Sequence, residues 1–184
     1  MDELTKKELW RDAIGWVKVV VGALVFAWIF VNCVIVNATV PTGSMEDTIR
    51  INDRIIAFRL SYLFSQPQRY DIIVYRSPYI RNRLYVKRII GVPGDVVTIV
   101  DGRVYINGED EPLRDDFVRG ELFGNYGPFP DEGVIPAGSF FVLGDNRNNS
   151  VDSRSPTWSD PFVTSDQILG RVLFRYFPRI QRLR

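Results

Sequence analysis

The sequence contains no histidine and a single cysteine, Cys33. Most zinc and iron sites in proteins are built from these two residue types, and an intramolecular disulfide needs a second cysteine. We therefore expect no metal, no cofactor and no disulfide. Histidine is also the commonest general base in enzymes. If this chain carries out acid–base chemistry, another side chain has to accept the proton.

Lysine is nearly absent from most of the chain. Lys6, Lys7 and Lys18 lie near the N-terminus, Lys87 stands alone after them, and every other cationic side chain beyond residue 18 is arginine. Arginine stays protonated in proteins, whereas a buried lysine can become neutral. Lys87 is thus the one candidate for a lysine base in this part of the chain. The alternative is that Lys87 is a solvated strand residue in an arginine-rich sequence.

Positive and negative charges are close to balanced. Of 184 residues, 23 are Lys or Arg and 22 are Asp or Glu, which gives a net charge of +1. This balance gives no reason to expect nucleic acid as a partner. The length suits one domain of ordinary size with a small additional element. A hydrophobic share of 46% with 24% charged residues does not fit a disordered chain or a membrane protein with many spans.

One long apolar segment lies near the N-terminus. Residues Val19–Val31 are all apolar or glycine, and apolar residues continue on both sides. A helix that crosses a membrane needs roughly 17–25 such residues. The segment predicts a single transmembrane helix at residues 13–36. A cleaved signal peptide with a site after Val36-Asn37-Ala38 is the alternative, but its apolar core would have only about 7–15 residues.

The cationic residues before this segment predict its orientation. They are Lys6, Lys7, Arg11 and Lys18. Basic residues that flank a span tend to stay in the cytoplasm. We therefore expect residues 1–12 in the cytoplasm and residues 37–184 as a domain on the outer face of the plasma membrane.

The chain beyond the apolar segment has the pattern of β-structure. Short alternating apolar runs are separated by Gly, Pro and Asp, which is typical of strands and turns. Strands are predicted at Asp53–Arg59, Asp71–Arg76, Leu84–Ile90, Val96–Val100, Arg103–Ile106, Ser139–Leu143 and Leu169–Tyr176. Asp101-Gly102 is a strong hairpin signal. The predicted fold class is mainly β, with little helix after the N-terminal one.

Two stretches lie outside this pattern. Residues 109–138 are rich in acid, glycine and proline, and we interpret them as an irregular excursion or lid. Leu60–Phe64 is a short apolar stretch between strands. It belongs either to the core or to a surface that touches the membrane. We favour the core, because exposed apolar patches are the exception.

Ser44 is a candidate nucleophile. It follows Gly43 in the turn Pro41–Met45. Glycine lets a substrate approach the backbone closely, and the Thr42 hydroxyl could stabilise an oxyanion beside the Ser44 N–H. The same residue types also suit an ordinary turn without chemistry.

Lys87 is the matching candidate for the base. A serine hydroxyl needs a group that takes its proton. Strand alternation places Lys87 on one face with Tyr85 and Ile89. Such an apolar neighbourhood lowers a lysine pKa, because desolvation disfavours the charged form.

Four stretches of the chain form a recognisable set. They are Pro-Thr-Gly-Ser-Met-Glu-Asp-Thr-Ile at 41–49, Arg69–Arg76, the lysine-containing run Tyr85–Asp95, and the Gly-Asp-Asn-Arg run Gly144–Arg154. The set resembles the sequence boxes of type I signal peptidases, in the family order. These are membrane-bound Ser/Lys proteases that remove signal peptides. The resemblance implies a β-rich protease fold of antiparallel sheets after a single span.

The resemblance implies catalytic roles for residues in the first and third stretches. Ser44 corresponds to the nucleophile and Lys87 to the general base. Thr42 stands where many members have serine, and with the Ser44 N–H it is expected to form the oxyanion site. Met45 belongs to the motif and is expected to pack below the nucleophile.

The resemblance also implies a set of supporting residues in the last stretch. They are Asp145, Asn146, Arg147, Ser150, Asp152 and Arg154. Ser150 corresponds to a serine that orients the lysine ammonium, and Asp152 and Arg154 correspond to an ion pair behind the site. The set is expected to position the Ser/Lys pair and not to react.

The partners implied are signal-peptide-bearing preproteins and the lipid bilayer. Small residues, typically alanine, at the first and third positions before the cut would enter shallow apolar pockets. Val40, Tyr85 and Val86 are the expected walls of these pockets. The substrate is expected to add as an extended strand beside Asp71–Arg76 or Leu84–Lys87.

Two other functions fit the same features. One is a self-processing Ser/Lys protease, which would cut itself at a rate independent of concentration. The other is a non-catalytic, membrane-anchored β domain that binds exported partners. Replacing Ser44 or Lys87 by alanine would leave the function of that domain intact.

Overall fold

The computed structural model describes residues 3–77, 79–80, 83–118 and 123–183. The chain divides into two compact units, Met1–Ile35 and Val36–Arg184. The first unit is built on helix α1, Glu3–Cys33. Its segment Trp10–Cys33 has a mean hydropathy of 2.3 and is not buried. By length and composition this helix is able to cross a membrane.

The helix stops short of the predicted boundary at residue 36. It ends at Cys33, and Ile35–Thr39 forms strand β1. β-branched residues such as Ile35, Val36 and Thr39 favour a strand, where their stiff side chains pack well on a pleated surface. The assignment of residues 1–12, 13–36 and 37–184 to cytoplasm, membrane and outer face stays a prediction.

The second unit is built of strands. In chain order they are β1 Ile35–Thr39, β2 Arg54–Phe58, β3 Ile72–Arg76, β4 Leu84–Gly91, β5 Val97–Val100, β6 Arg103–Ile106, β7 Tyr126–Phe129, β8 Ser139–Leu143, β9 Phe162–Thr164, β10 Ile168–Phe177 and β11 Gln181–Arg182. Short 3-10 helices lie at Arg59–Tyr62 and Ser165–Gln167. Each predicted strand is present to within about one residue.

The strands form two antiparallel sheets, which confirms the predicted fold class. The larger sheet has the order β1-β2-β10-β3-β4-β8-β9, with β11 paired to β10, and the smaller has the order β6-β5-β7. In the larger sheet Lys87 of β4 is paired with Ile73 of β3. On the other edge of β4, Arg88 is paired with Leu143 of β8. The run Gly144–Arg154 therefore begins next to the strand that carries Lys87.

Both faces of the larger sheet are covered by apolar side chains. Ile73, Ile89 and Val142 belong to the cluster on one face. Ile72 and Val74 belong to the cluster on the other. Strand β4 lies inside this sheet and is covered on both faces, so it can hold a polar side chain away from water.

The segment 109–138 is partly regular. Strand β7 lies within it and pairs with β5, with Val97 opposite Phe129 and Ile99 opposite Tyr126. Its sequence Tyr-Gly-Pro-Phe contains a glycine and a proline, which weaken a strand pattern. The predicted irregular excursion or lid therefore contains one short regular element, β7. Residues 119–122 of the predicted lid lie outside the described residues.

The stretch Leu60–Phe64 is not core. Leu63 is 63% exposed and Phe64 is 98% exposed. Tyr62 is the member that turns inward, where its hydroxyl donates to Asp71 Oδ2 at 2.9 Å. The preference for the core is thus wrong for Leu63 and Phe64, because the 3-10 turn directs Tyr62 and not these two residues toward the sheet.

Candidate active site

Lys87 and Ser44 meet inside the second unit. Lys87 Nζ donates a hydrogen bond to Ser44 Oγ at 2.6 Å. The two residues are 2% and 8% exposed. Burial lowers the pKa of Lys87 to about 8, while the carboxylates of Asp152 and Asp145 partly oppose this shift. A lysine with this pKa is neutral in a useful fraction of molecules near neutral pH, and only the neutral form can accept a proton.

A short turn presents Ser44. Glu46 N donates to Gly43 O at 3.1 Å and Ile49 N donates to Met45 O at 2.8 Å, which closes the turn after β1. Met45 is fully buried below it, where the resemblance places it. Because the Met45 side chain is anchored in the core, it holds the adjacent Ser44 in place.

Asn146 ties this turn to the loop after β8. Its N–H donates to Ser44 O at 3.1 Å. Its side-chain amide donates to Gly43 O at 3.0 Å. These two bonds hold the backbone of the candidate nucleophile from behind.

Gly144 lies at the closest approach in the site. A β-carbon at this position would collide with Ser150 Oγ and with the backbone oxygen of Ser44. Only a glycine fits between these atoms without displacing them. Gly144 is part of the run Gly144–Arg154, but no local pattern predicts its steric role, because a requirement of this kind depends on long-range packing.

Ser150 forms no hydrogen bond with Lys87 among the described residues. Its Oγ is buried and has no hydrogen-bond partner among the described residues. The Lys87 ammonium donates instead to Ser44 Oγ and to the Val86 carbonyl, the latter at 3.1 Å. Ser150 does lie against Gly144, next to Ser44 O.

Asp152 and Arg154 form a bidentate ion pair. Arg154 Nη2 and Nε lie 2.8 Å from Asp152 Oδ2 and Oδ1. Asp152 is fully buried and its Oδ2 also accepts the Gly144 N–H at 3.0 Å. The pair thus supports Gly144, and the Asp152 charge raises the pKa of Lys87 against the effect of burial.

Asp145 pairs with Arg88, a residue that sequence analysis missed. Arg88 Nε lies 2.9 Å from Asp145 Oδ1 and Arg88 Nη2 lies 2.7 Å from Asp145 Oδ2. Both side chains are 1% exposed. Thr48 Oγ1 also donates to Asp145 Oδ2, at 2.6 Å. Asp145 therefore joins β4 to the segment after Ser44. The sequence feature that could have indicated this ion pair is the position of Arg88 directly after Lys87.

A small groove adjoins the Ser44–Lys87 contact. Its volume is about 60 Å³. The predicted walls Val40, Tyr85 and Val86 all line it, together with Thr42. The groove is therefore small and lies directly beside the candidate nucleophile. The roles of these residues in catalysis and substrate binding stay predictions.

The edges of the strands decide where an extended substrate can bind. Strand β3 is paired along both edges, with β10 and with β4. The predicted addition beside Asp71–Arg76 is therefore wrong, because no backbone edge is free there. Strand β8 pairs with Arg88, Ile89 and Gly91 of β4, so that Leu84–Lys87 keeps an edge unpaired among the described residues.

The chain matches known proteins over most of its length. The family described as signal peptidase, peptidase S26, matches residues 13–177. A signal peptidase I from Leptolyngbya laminosa is 40% identical over 147 residues, which are 76% of this chain and 67% of the relative. Signal peptidase IB from Staphylococcus aureus strain Mu50 is 32% identical over 180 residues, which are 91% of each chain. The chain therefore belongs to the signal peptidase family, peptidase S26, and is a serine peptidase of that family.

Among solved structures, a signal peptidase I from Enterococcus faecalis V583 is similar to this chain. It is 34% identical, covers 58% of this chain and 97% of its own length, and has a TM-score of 0.47.

Proposed function

We propose that the chain is a membrane-anchored endopeptidase that removes signal peptides from exported preproteins with Ser44 as nucleophile and Lys87 as general base. The 2.6 Å contact between Lys87 Nζ and Ser44 Oγ in a buried site carries this proposal. A charged lysine in that place costs free energy, and a neutral one is suited to take the serine proton.

The proposed reaction has two halves. Neutral Lys87 accepts the Ser44 proton while Ser44 Oγ attacks the scissile carbonyl carbon. The Ser44 N–H and the Thr42 hydroxyl stabilise the oxyanion, and the Lys87 ammonium then protonates the leaving amine. The scissile C–N bond breaks as the amine leaves, and the signal peptide stays bound to Ser44 Oγ as an ester. In the second half neutral Lys87 takes a proton from water, which attacks the ester carbonyl carbon. The Lys87 ammonium then returns the proton to Ser44 Oγ as the ester C–O bond breaks, and the signal peptide leaves with a new carboxyl group.

The groove supports a preference for small residues before the cut. An extended substrate would pair with the free edge at Leu84–Lys87 and place its side chains alternately toward and away from the groove. The cavity of about 60 Å³ then selects alanine-sized side chains at the first and third positions before the cut. This is the Ala-x-Ala pattern implied by the family resemblance.

Helix α1 supports an anchoring role. Its apolar segment Trp10–Cys33 would hold the catalytic unit on the outer face of the plasma membrane, with the N-terminus in the cytoplasm. The exposed side chains of Leu63 and Phe64 would add a contact with the bilayer surface. Both the enzyme and the signal peptide of its substrate then lie in the same membrane.

Peptide cleavage tests the proposal. The substrate carries Ala-x-Ala before its mature start, and wild type is compared in detergent with Ser44→Ala and Lys87→Arg. We expect wild type to cut after the second alanine and both variants to lose several decades of rate, roughly 10³-fold or more. Arginine keeps the charge but cannot act as a base. A Lys87→Arg variant that cuts normally would contradict the proposed base.

Self-processing at Val36-Asn37-Ala38 is less well supported. These residues lie in β1, which pairs with β2 in the larger sheet, and Val36 is 6% exposed. Cleavage in cis would require the strand to leave the sheet. A self-cleavage rate that is independent of enzyme concentration would favour this alternative.

A further inference from the structure

Residues Leu113–Val118, called the strap below, pack against the scaffold of the site. Leu113 N donates to Val104 O at 2.7 Å, which anchors the strap to β6. The Phe117 ring centroid lies 3.9 Å from the guanidinium carbon of Arg88, the neighbour of Lys87 in β4. The same ring meets the Tyr70 ring edge-on, with centroids 5.9 Å apart. This part of the predicted lid therefore braces the site.

Asp115 of the strap contacts Arg147. Arg147 Nη1 lies 2.8 Å from Asp115 Oδ2, and the side chains are 3% and 12% exposed. The contact is an ion pair without the alignment of a hydrogen bond, and Arg147 Nη2 has no hydrogen-bond partner among the described residues. Asp115 therefore supplies the carboxylate that offsets a buried positive charge, which would be costly to leave alone.

Arg147 in turn belongs to the loop that holds Ser44. Its Nε donates to Gly144 O at 3.2 Å. Its neighbour Asn146 binds the backbone oxygens of Ser44 and Gly43. A continuous line of contacts thus runs from Asp115 through Arg147 to the turn that presents the nucleophile.

We propose that Asp115 is a positioning residue for Ser44. By holding Arg147, its carboxylate fixes the loop Gly144–Arg147 and, through Asn146, the turn around Ser44. The proposal rests on the proposed function of Ser44 as nucleophile. Asp115 is not among the described residues that line the groove. We therefore expect the loss of the Asp115 carboxylate to lower the rate of the chemical step and to leave substrate affinity unchanged.

The neighbouring residue Asp116 offers a matched control. It pairs with Arg114 at 2.7 Å, but these side chains are 70% and 83% exposed. In the peptide assay we expect Asp115→Asn to lower kcat by about tenfold or more with KM within about twofold. Asp115→Glu keeps the charge and should recover part of the loss. Asp116→Asn should leave kcat and KM unchanged.

A second control separates positioning from a general loss of stability. Asp95→Asn breaks another ion pair, in which Arg69 Nη1 lies 3.1 Å from Asp95 Oδ2. Each variant is assayed well below its own Tm, and hydrogen exchange is followed at the amides of residues 43–49. We expect faster exchange there in Asp115→Asn than in wild type or Asp95→Asn.

If Asp115→Asn folds poorly, Asp115→Ser carries the test, because it also removes the carboxylate and places a smaller side chain in the same site. A folded Asp115→Asn or Asp115→Ser variant that keeps kcat within about twofold of wild type would overturn the proposal. So would unchanged exchange at residues 43–49. A wild-type enzyme that does not cut the peptide would refute the proposed function, while the exchange comparison would still decide whether Asp115 positions the turn.

Discussion

Lys87 Nζ and Ser44 Oγ lie 2.6 Å apart, although one side chain comes from a central strand and the other from a turn after β1. The lysine is 2% exposed and forms no ion pair among the described residues. Its burial lowers its pKa to about 8. Because burial disfavours the charged form, Lys87 lowers the stability of the folded protein near neutral pH, and the same burial makes it available as a base.

The cost of burying Lys87 predicts a pH-dependent effect of Lys87→Met. The lysine pKa is about 8 in the folded protein and 10.5 in the unfolded chain, so the unfolded chain binds more protons between these values. The Lys87 contribution to wild-type stability therefore rises with pH across this window. The variant lacks this dependence, and its stability relative to wild type should fall by roughly 3 kcal/mol from pH 7 to pH 11.

Denaturant unfolding of both proteins at several pH values measures this difference. A difference that stays constant from pH 7 to pH 11 would show that Lys87 has an ordinary pKa in the folded protein.

Gly144→Ala should abolish most activity. The added methyl group would collide with Ser150 Oγ and the Ser44 backbone oxygen, and the nucleophile turn would shift. A displacement of about 1 Å near the reacting atoms can cost roughly 100-fold in rate. The measurement is kcat in the peptide assay.

Gly133→Ala is the control for Gly144→Ala. Gly133 has a φ of +77° and open space at its β-carbon position, so the substitution strains the backbone without a collision. It should lower Tm and keep kcat. Equal activity loss in both variants would mean that the steric account of Gly144 is wrong.

Asp152→Asn should move the pH profile of kcat/KM toward lower pH. The Asp152 charge favours the ammonium form of Lys87 and raises its pKa. Removing that charge lowers the pKa below about 8, so that Lys87 becomes neutral at lower pH. A midpoint that moves upward in this variant would contradict the assignment of Lys87 as the titrating base.

Phe64→Ser and Leu63→Ser test the contact with the bilayer. Both side chains are exposed, so neither change should alter stability by more than about 0.5 kcal/mol. We expect a higher KM for a preprotein embedded in vesicles and an unchanged KM for a short soluble peptide. If both substrates respond alike, or neither responds, the two residues do not contact the membrane during catalysis.

Local signals in the sequence predicted much of the fold. Alternation in Leu84–Gly91 and the Asp101-Gly102 turn indicated strands and a hairpin because both depend on neighbouring residues. Strand β7 was missed, since Gly127 and Pro128 hide its pattern. The two-residue strand β11 is too short for any periodicity to show.

Residues of the site could be predicted from the sequence where amino-acid composition or a sequence motif indicated them. The scarcity of lysine pointed to Lys87, and the resemblance pointed to both Lys87 and Ser44, which the structure places in contact. The Asp115–Arg147 pair joins segments distant in the chain, and no local pattern connects them. The hydrogen bond expected between Ser150 and Lys87 depends on side-chain direction, and the structure directs the ammonium to Ser44 and Val86 instead.

The pH dependence of kcat/KM measures whether neutral Lys87 is the base that activates Ser44. An Ala-x-Ala peptide is cleaved by wild type and by Lys87→Arg in detergent from pH 6 to pH 10. We expect wild-type kcat/KM to rise through one ionisation near pH 8 and then to level off, and we expect Lys87→Arg to be inactive throughout. A wild-type profile that is flat across pH 8, or a Lys87→Arg variant that cuts at the wild-type rate, would contradict a neutral Lys87 as the base that activates Ser44.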